Sequence, residues 1–171
     1  NFSCASVFSF HPVKMITTGE GGAILVNSDN AKRKAQTLRS HGIDTKIAGK
    51  IKGKKGWYYE QQDVGYNFRL SDIQAALGLS QMNKLPSFLM KRNQLAKLYK
   101  RKLIKFPLKF QEILPNCKSS YHLFVIQLTD PNFSRDKLYD FFISNNIGCQ
   151  VHYIPVHLQP LFRKKGFCKG M

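Results

Sequence analysis

The sequence has 171 residues and carries 27 Lys and Arg against 10 Asp and Glu, a formal charge of +17. A chain of this length can bury a core of its own, no apolar run approaches the ~18 residues of a membrane span, and the four cysteines, Cys4, Cys117, Cys149 and Cys168, form no CxxC pair suited to zinc. The cations are spread from Lys32 to Lys169 with no RNA-binding aromatic strand among them, which reads as solvated faces, and the separated cysteines read as reduced thiols in a cytosolic protein.

In chain order, apolar residues begin directly after Asn1, so the start reads as cut into an element. "CASVFSF" alternates apolar with small or polar residues up to "HP" and predicts a strand; "AILVN" predicts a second. Ser28 or Asp29 is placed to cap a helix carrying Ala31, Ala35 and Leu38, with Gly42 as its left-handed stop. From Ile43 to Asp63 the chain is basic, Gly-rich and without periodicity, which predicts a long exposed loop. Ser71 and Asp72 open a helix with Ile73, Leu77 and Met82 on one side, which "LPS" should break. A second helix beyond Pro86 should turn Phe88, Leu95, Leu98, Tyr99 and Leu103 inward.

"FPLKFQEILPNCKSS" has two prolines and no periodicity and reads as a boundary, giving a first unit over 1–105 and a smaller one over 106–171. There "YHLFVIQL" predicts a strand, Ser134 caps a helix through Leu138, Phe141 and Phe142 that Gly148 helps to end, and "CQVHYI" predicts another strand. This strand–helix–strand unit belongs to an α/β domain. "VHLQPLFRKKGFCKGM" then opens a periodic segment with no closing element behind it, so the end also reads as cut.

Two features invite a chemical reading. "TTGEGGAIL" lacks the third glycine of a nucleotide fingerprint and opens a strand rather than a helix, which leaves a tight turn. Lys14 lies between Pro12 and that turn; a fixed lysine can attack a carbonyl, but spacing alone does not separate it from the many solvated lysines.

"SVFSFHPVKMITTGEGGAILVN", "LRSHGI", "WYYEQQDVGYNFRLSDIQAALGLSQ" and "QVHYIPVH" resemble, in order and spacing, the DegT/DnrJ/EryC1/StrS family of pyridoxal-phosphate-dependent sugar aminotransferases, from about Ser3 to Phe162. The resemblance implies an α/β fold of the type I, aspartate-aminotransferase-like class: the C-terminal part of the large cofactor domain with connecting helices, then most of the small domain. It implies that Lys14 is the Schiff-base lysine and acid–base group. Ser9 matches a hydroxyl at the cofactor phosphate or adjoining substrate, and Asn67 an amide reaching cofactor or substrate of a neighbouring subunit, hence a homodimer with shared sites. Gln150, Val151, His152 and Tyr153 match the lining of the sugar-nucleotide pocket, with His157 nearby, while a strand histidine satisfied by backbone remains an alternative for His152. His11 and His41 are left structural.

The implied reaction moves an amine, with glutamate as donor, to C4 of a UDP-linked 4-keto-6-deoxy-N-acetylhexosamine for bacterial surface sugars of the pseudaminic acid type. The family's dehydratases carry histidine at the lysine position, so Lys14 argues against that branch. Family members also carry, upstream, an aromatic that stacks on the cofactor ring and an acid for its nitrogen; neither is found in this sequence, so the 171-residue chain alone is expected to bind the cofactor weakly or not at all. A competing reading makes the basic loop Lys46 to Lys55, with Trp57, Tyr58 and Tyr59 as stacking platforms, a module for nucleic acid or an anionic surface.

Overall fold

The computed structural model describes residues 3–44, 47 and 49–170. The chain divides into two compact units, Asn1–Leu98 with Ile113–Leu123, and Tyr99–Glu112 with Phe124–Met171.

The first unit begins with a hairpin. Strand β1, Ala5–Ser9, pairs antiparallel with β2, Gly22–Val26, in a register running from Ala5 opposite Val26 to Ser9 opposite Gly22. Opposed residues share a face, so Val7 and Ile24 mark one face and Phe8 and Leu25 the other. All four are exposed, Val7 by 80% and Leu25 by 61%. Strands apolar on both sides are the pattern of sheets covered on both sides.

Helix α1, Asp29–Arg39, starts at Ser28, whose hydroxyl accepts the Ala31 N–H at 3.2 Å, and it carries Asp29 in its first turn and Arg39 in its last, as the helix dipole favours. The left-handed turn after its C-cap Ser40 begins at His41, φ +59°, one residue before the expected Gly42, which follows at φ +73° and donates its N–H to the Thr37 carbonyl at 2.9 Å. Among the described residues of the 43–63 stretch, turns and bends alternate with irregular chain, and no helix or strand forms. One of its residues, Asp44, is buried, and Arg33 of α1 donates to its carboxylate. Two bridges, Ser40 to Asn67 and Ile43 to Gln61, tie this stretch and the segment after it to the end of α1.

Helix α2 runs unbroken over Asp72–Leu103, through Pro86, where the sequence predicted a break. Pro86 removes the N–H that would bond the Met82 carbonyl, but both residues are exposed, so water can satisfy that carbonyl. The predicted inward face holds in part: Phe88, Leu98 and Leu103 are half-buried, Leu95 and Tyr99 are exposed, and the residue α2 buries is Ala96. Arg92 donates to the Tyr121 carbonyl at 3.1 Å and Asn93 to the Ser119 carbonyl at 3.1 Å, which pins residues 113–123 along the helix.

In the second unit β3, Leu108–Phe110, pairs antiparallel with β4, Ile126–Leu128. Phe124 packs on Tyr99 and Phe110, with ring centroids 5.1 and 5.7 Å apart. Helix α3, Arg135–Ser144, is capped by Ser134 as expected. It is ended by Asn146 at φ +57° rather than by Gly148, asparagine being the other residue that tolerates that conformation. The strand–helix–strand expectation does not hold. "YHLFVIQL" yields only the three residues of β4, β3 forms inside the stretch read as a boundary, and residues 149–155 form no strand. A 3-10 turn, Val156–Leu158, and the short helix α4, Pro160–Arg163, follow. Among the described residues no disulfide joins the four cysteines, and no helix is long and apolar enough to cross a membrane.

The crossing of residues 41–42 with 63–65 leaves no room for side chains. A Cβ on Gly65 would stand 1.9 Å from the Gly42 nitrogen and 2.4 Å from the His41 carbonyl carbon. Gly65→Ala is expected to lower stability by about 1–3 kcal/mol through overpacking against backbone, read as the denaturant midpoint by circular dichroism. Gly56→Ala, at a site open on all sides, should stay within about 0.5 kcal/mol; equal midpoints for the two variants would contradict the close crossing.

Candidate active site

Ser9 closes β1, and the chain between it and β2 carries Lys14. The ladder continues one step beyond the strands, with Phe10 N–H donating to the Gly21 carbonyl at 2.8 Å. The Phe10 carbonyl then accepts two bonds, from Thr18 N–H at 3.1 Å and from the Thr17 hydroxyl at 3.0 Å. Residues 11–16 are therefore a short excursion with both ends fixed. Within it His11 is the organiser. Its N–H donates to the Ser9 hydroxyl at 3.4 Å, its carbonyl accepts Lys14 N–H at 2.9 Å, and its Nδ1 accepts Val13 N–H at 3.3 Å. An accepting Nδ1 puts the ring proton on Nε2, which lies 3.7 Å from the Glu20 carboxylate.

Lys14 is thus placed by backbone bonds and proline, with its side chain exposed and Ile16 buried two residues on. The Ser9 hydroxyl keeps its own proton to donate. The turn that returns the chain to β2 uses Gly19 at φ +81°, a conformation glycine adopts without cost.

Asn67 belongs to the same unit but to another support. It bridges Ser40, and its neighbours continue the attachment: Tyr66 N–H to the Leu38 carbonyl at 2.7 Å and Phe68 N–H to the Arg39 carbonyl at 3.0 Å. Tyr66 and Phe68 stack face to face, centroids 4.6 Å apart and 4° from parallel. Alternation in extended chain sends Asn67 to the side away from that stack. Ser9 and Lys14 are joined through His11, whereas Asn67 is held by the end of α1.

Gln150, Val151, His152 and Tyr153 lie in the second unit, on the exposed segment before the 3-10 turn that holds His157. His152 stacks on Tyr153, centroids 4.1 Å apart and 11° from parallel, so ring contact rather than a strand ladder holds it. Of the basic loop, Lys46 lies outside the described residues. Lys54 Nζ sits 4.6 Å over the Tyr58 ring, and the Tyr58 hydroxyl bonds Glu60 at 3.0 Å, which raises that phenol's pKa above its ordinary 10.0. Trp57 and Tyr59 remain exposed. Among the described residues no group of His, Cys, Asp and Glu is arranged to hold a metal.

Sequence inspection, which left His11 structural, missed the Thr17–Thr18 pair that closes the Lys14 excursion. It also missed Gln74, whose Nε2 donates to the Glu20 carbonyl at 2.9 Å. The pattern Ser71-x-x-Gln74 is a capping-box signal that would have singled out Gln74.

Comparison with known proteins brings this geometry into a family. The model for the DegT/DnrJ/EryC1/StrS aminotransferase family matches residues 1–170. A UDP-4-amino-4,6-dideoxy-N-acetyl-beta-L-altrosamine transaminase of Campylobacter jejuni is 40% identical over 162 residues, 93% of this chain and 41% of its own length. Its Helicobacter pylori counterpart is 38% identical over 168 residues, 95% of this chain and 42% of its own. Among solved structures, the Helicobacter pylori aminotransferase PseC, involved in the biosynthesis of pseudoaminic acid, superposes with TM-score 0.83 at 38% identity, over 95% of this chain and 42% of that one. A putative sugar aminotransferase of Streptococcus pneumoniae superposes with TM-score 0.86 at 25% identity, over 98% and 44%. The chain spans about two fifths of the length of the curated relatives it matches, with part of the fold type I architecture those structures share, and it belongs to the DegT/DnrJ/EryC1/StrS aminotransferase family.

Proposed function

We propose that this chain contributes the lysine-bearing part of a pyridoxal-phosphate-dependent aminotransferase, which moves an amine from glutamate to C4 of a UDP-linked 4-keto-6-deoxy-N-acetylhexosamine. The observation that carries the proposal is Lys14 on a short excursion pinned at both ends, in a chain whose family match covers residues 1–170. The named activity of the Campylobacter and Helicobacter relatives supports the sugar, and no described helix could cross a membrane, in keeping with a cytoplasmic enzyme.

Bound pyridoxal phosphate would supply an electron sink for the substrate carbon. This chain's residues do the rest. The Lys14 amine holds the cofactor between turnovers and, when displaced, moves the proton at the reacting carbon. Ser9, with its hydroxyl proton free to donate, binds the phosphate or the adjoining substrate. Asn67 serves the site of a second subunit, as a homodimer with shared sites requires. Gln150 and Tyr153 hydrogen-bond, and Val151 and His152 pack against, the sugar nucleotide. Residues 1–105 are assigned to the large cofactor domain and 106–171 to the small one.

A chimera tests the function: the Campylobacter transaminase with its matching region replaced by this chain. It should convert the UDP-linked 4-keto sugar to the amino sugar with glutamate, followed by chromatography of the nucleotide sugars. Lys14→Ala in that chimera should slow amine transfer by at least about 10²-fold, the lower end of what a positioned acid–base group contributes. Transfer unaffected by Lys14→Ala would remove Lys14 from the chemistry.

The 171-residue chain by itself is expected to hold the cofactor weakly and to be inactive. Its Lys14 side chain is exposed, and an amine in water has nothing to exclude hydrolysis of what it forms. Titration with pyridoxal phosphate should give no stable visible absorbance of lysine-bound cofactor. A band that Lys14→Ala abolishes would overturn this expectation.

A further inference from the structure

The excursion that carries Lys14 is tied to a helix cap. Ser71 and Gln74 form a capping box at the start of α2: the Ser71 hydroxyl accepts Gln74 N–H at 3.3 Å, and the Gln74 Oε1 accepts Ser71 N–H at 3.1 Å. That occupies the oxygen of the Gln74 amide. The nitrogen is thereby turned away from the cap and donates to the Glu20 carbonyl, 54 residues back in the chain, at 2.9 Å. The Thr18 hydroxyl donates to the same carbonyl at 2.8 Å. Thr18 is 3% exposed, and its methyl group fills the space where a Cβ on Gly78 would stand, 2.8 Å away. Gln74 and Gly78 are one helical turn apart and so face the same way. Thr18 is also the residue whose N–H closes the excursion on Phe10.

We propose that Gln74, acting with Thr18, is a positioning residue for Lys14: one amide caps α2 with its oxygen and latches the Lys14 excursion with its nitrogen. The inference rests on Lys14 being the amine that carries the cofactor. A capping box needs only an acceptor at position 74, and glutamate would serve there with the added benefit of a negative charge at a helix N-terminus. Glutamine is required only where the second atom must donate. A carboxylate would set an oxygen against the Glu20 carbonyl oxygen, acceptor against acceptor, and the latch would open while the cap stayed closed.

Gln74→Glu therefore separates the two roles. In the chimera described above, helix content by circular dichroism should be unchanged by Gln74→Glu, while the Lys14 and Thr18 amides exchange with deuterium about five- to tenfold faster, the loss of about one hydrogen bond. Thr18→Val, which keeps the packed methyl, should do the same, and Thr18→Ser should retain slow exchange. Reductive alkylation with excess pyridoxal phosphate and borohydride, mapped by mass spectrometry, traps even short-lived adducts. Lys14 should be labelled ahead of the other lysines in the unaltered chimera and in its Thr18→Ser variant, and lose about fivefold of that preference in Gln74→Glu and Thr18→Val. Unchanged exchange in Gln74→Glu would overturn the latch. Faster exchange with undiminished Lys14 labelling would overturn the positioning role. No preference for Lys14 in the unaltered chimera, whatever the exchange rates, would overturn the assignment of Lys14 itself, and with it the functional sense of the latch.

Discussion

The Phe10 carbonyl, with its two hydrogen bonds from Thr18 N–H and the Thr17 hydroxyl, is the contact on which the candidate chemistry of this chain depends. The β1–β2 ladder delivers Phe10 in a fixed direction, and the two donors bring the returning chain against it. Six residues between them must then turn within a small span, which Pro12 and the bonds of His11 allow. Lys14 is consequently fixed at its Cα, and among the described residues no hydrogen bond or ion pair engages its amine. That suits a group that has to bond to one partner, release it and then move a proton, because the ammonium or amine is not already committed to a carboxylate.

A second constraint is the apolar surface. The accessible area is 14406 Å², where a folded monomer of 19.6 kDa would expose about 8,600 Å² by the usual mass scaling. The excess is carried by side chains that a self-sufficient domain would bury: Val7, Phe8, Ile24 and Leu25 on the hairpin, and Ile73, Leu79 and Leu95 along α2. A two-stranded sheet is marginal by itself, and this one is apolar on both faces. The curated relatives are more than twice as long as the stretch they share with this chain. In the enzyme proposed above, cover over these faces would take water away from Lys14 and strengthen every electrostatic contact near it.

What was legible in the sequence was local. The alternation of β1, the Ser28 and Ser134 caps, the Gly42 stop and the glycine turn before β2 are each decided within a few residues by side-chain hydrogen bonding or by φ. Pro86 misled because a proline's cost depends on whether the carbonyl it orphans can reach water, which sequence does not report. The face of α2 misled in part for a related reason: Leu95 and Tyr99 have the spacing of a core stripe, but a stripe is buried only where neighbours cover it fully, and Tyr99 stays half exposed even with Phe124 against its ring. At residues 149–154 β-branched and aromatic residues gave the composition of a strand, while a strand also needs a partner edge, and among the described residues none pairs there.

The candidate site divides along the same line. The positions of Lys14, Ser9, Asn67 and the 150–153 stretch could be named from ordered motifs, because motif order survives without knowledge of contacts. Their supports could not, since they run over long sequence separations: Gln74 to Glu20, Asn67 to Ser40, Phe68 to Arg39. Ser71-x-x-Gln74 illustrates the limit. As a pattern it is fully explained by the helix it caps, and nothing in it signals that the amide nitrogen is needed elsewhere. An amide has two ends and a cap consumes one. Where a short-range motif leaves a donor or acceptor unspent beside a tightly packed residue such as Thr18, the remaining valence is where a long-range contact is to be sought, and here it leads to the segment bearing Lys14, the lysine proposed above for covalent work.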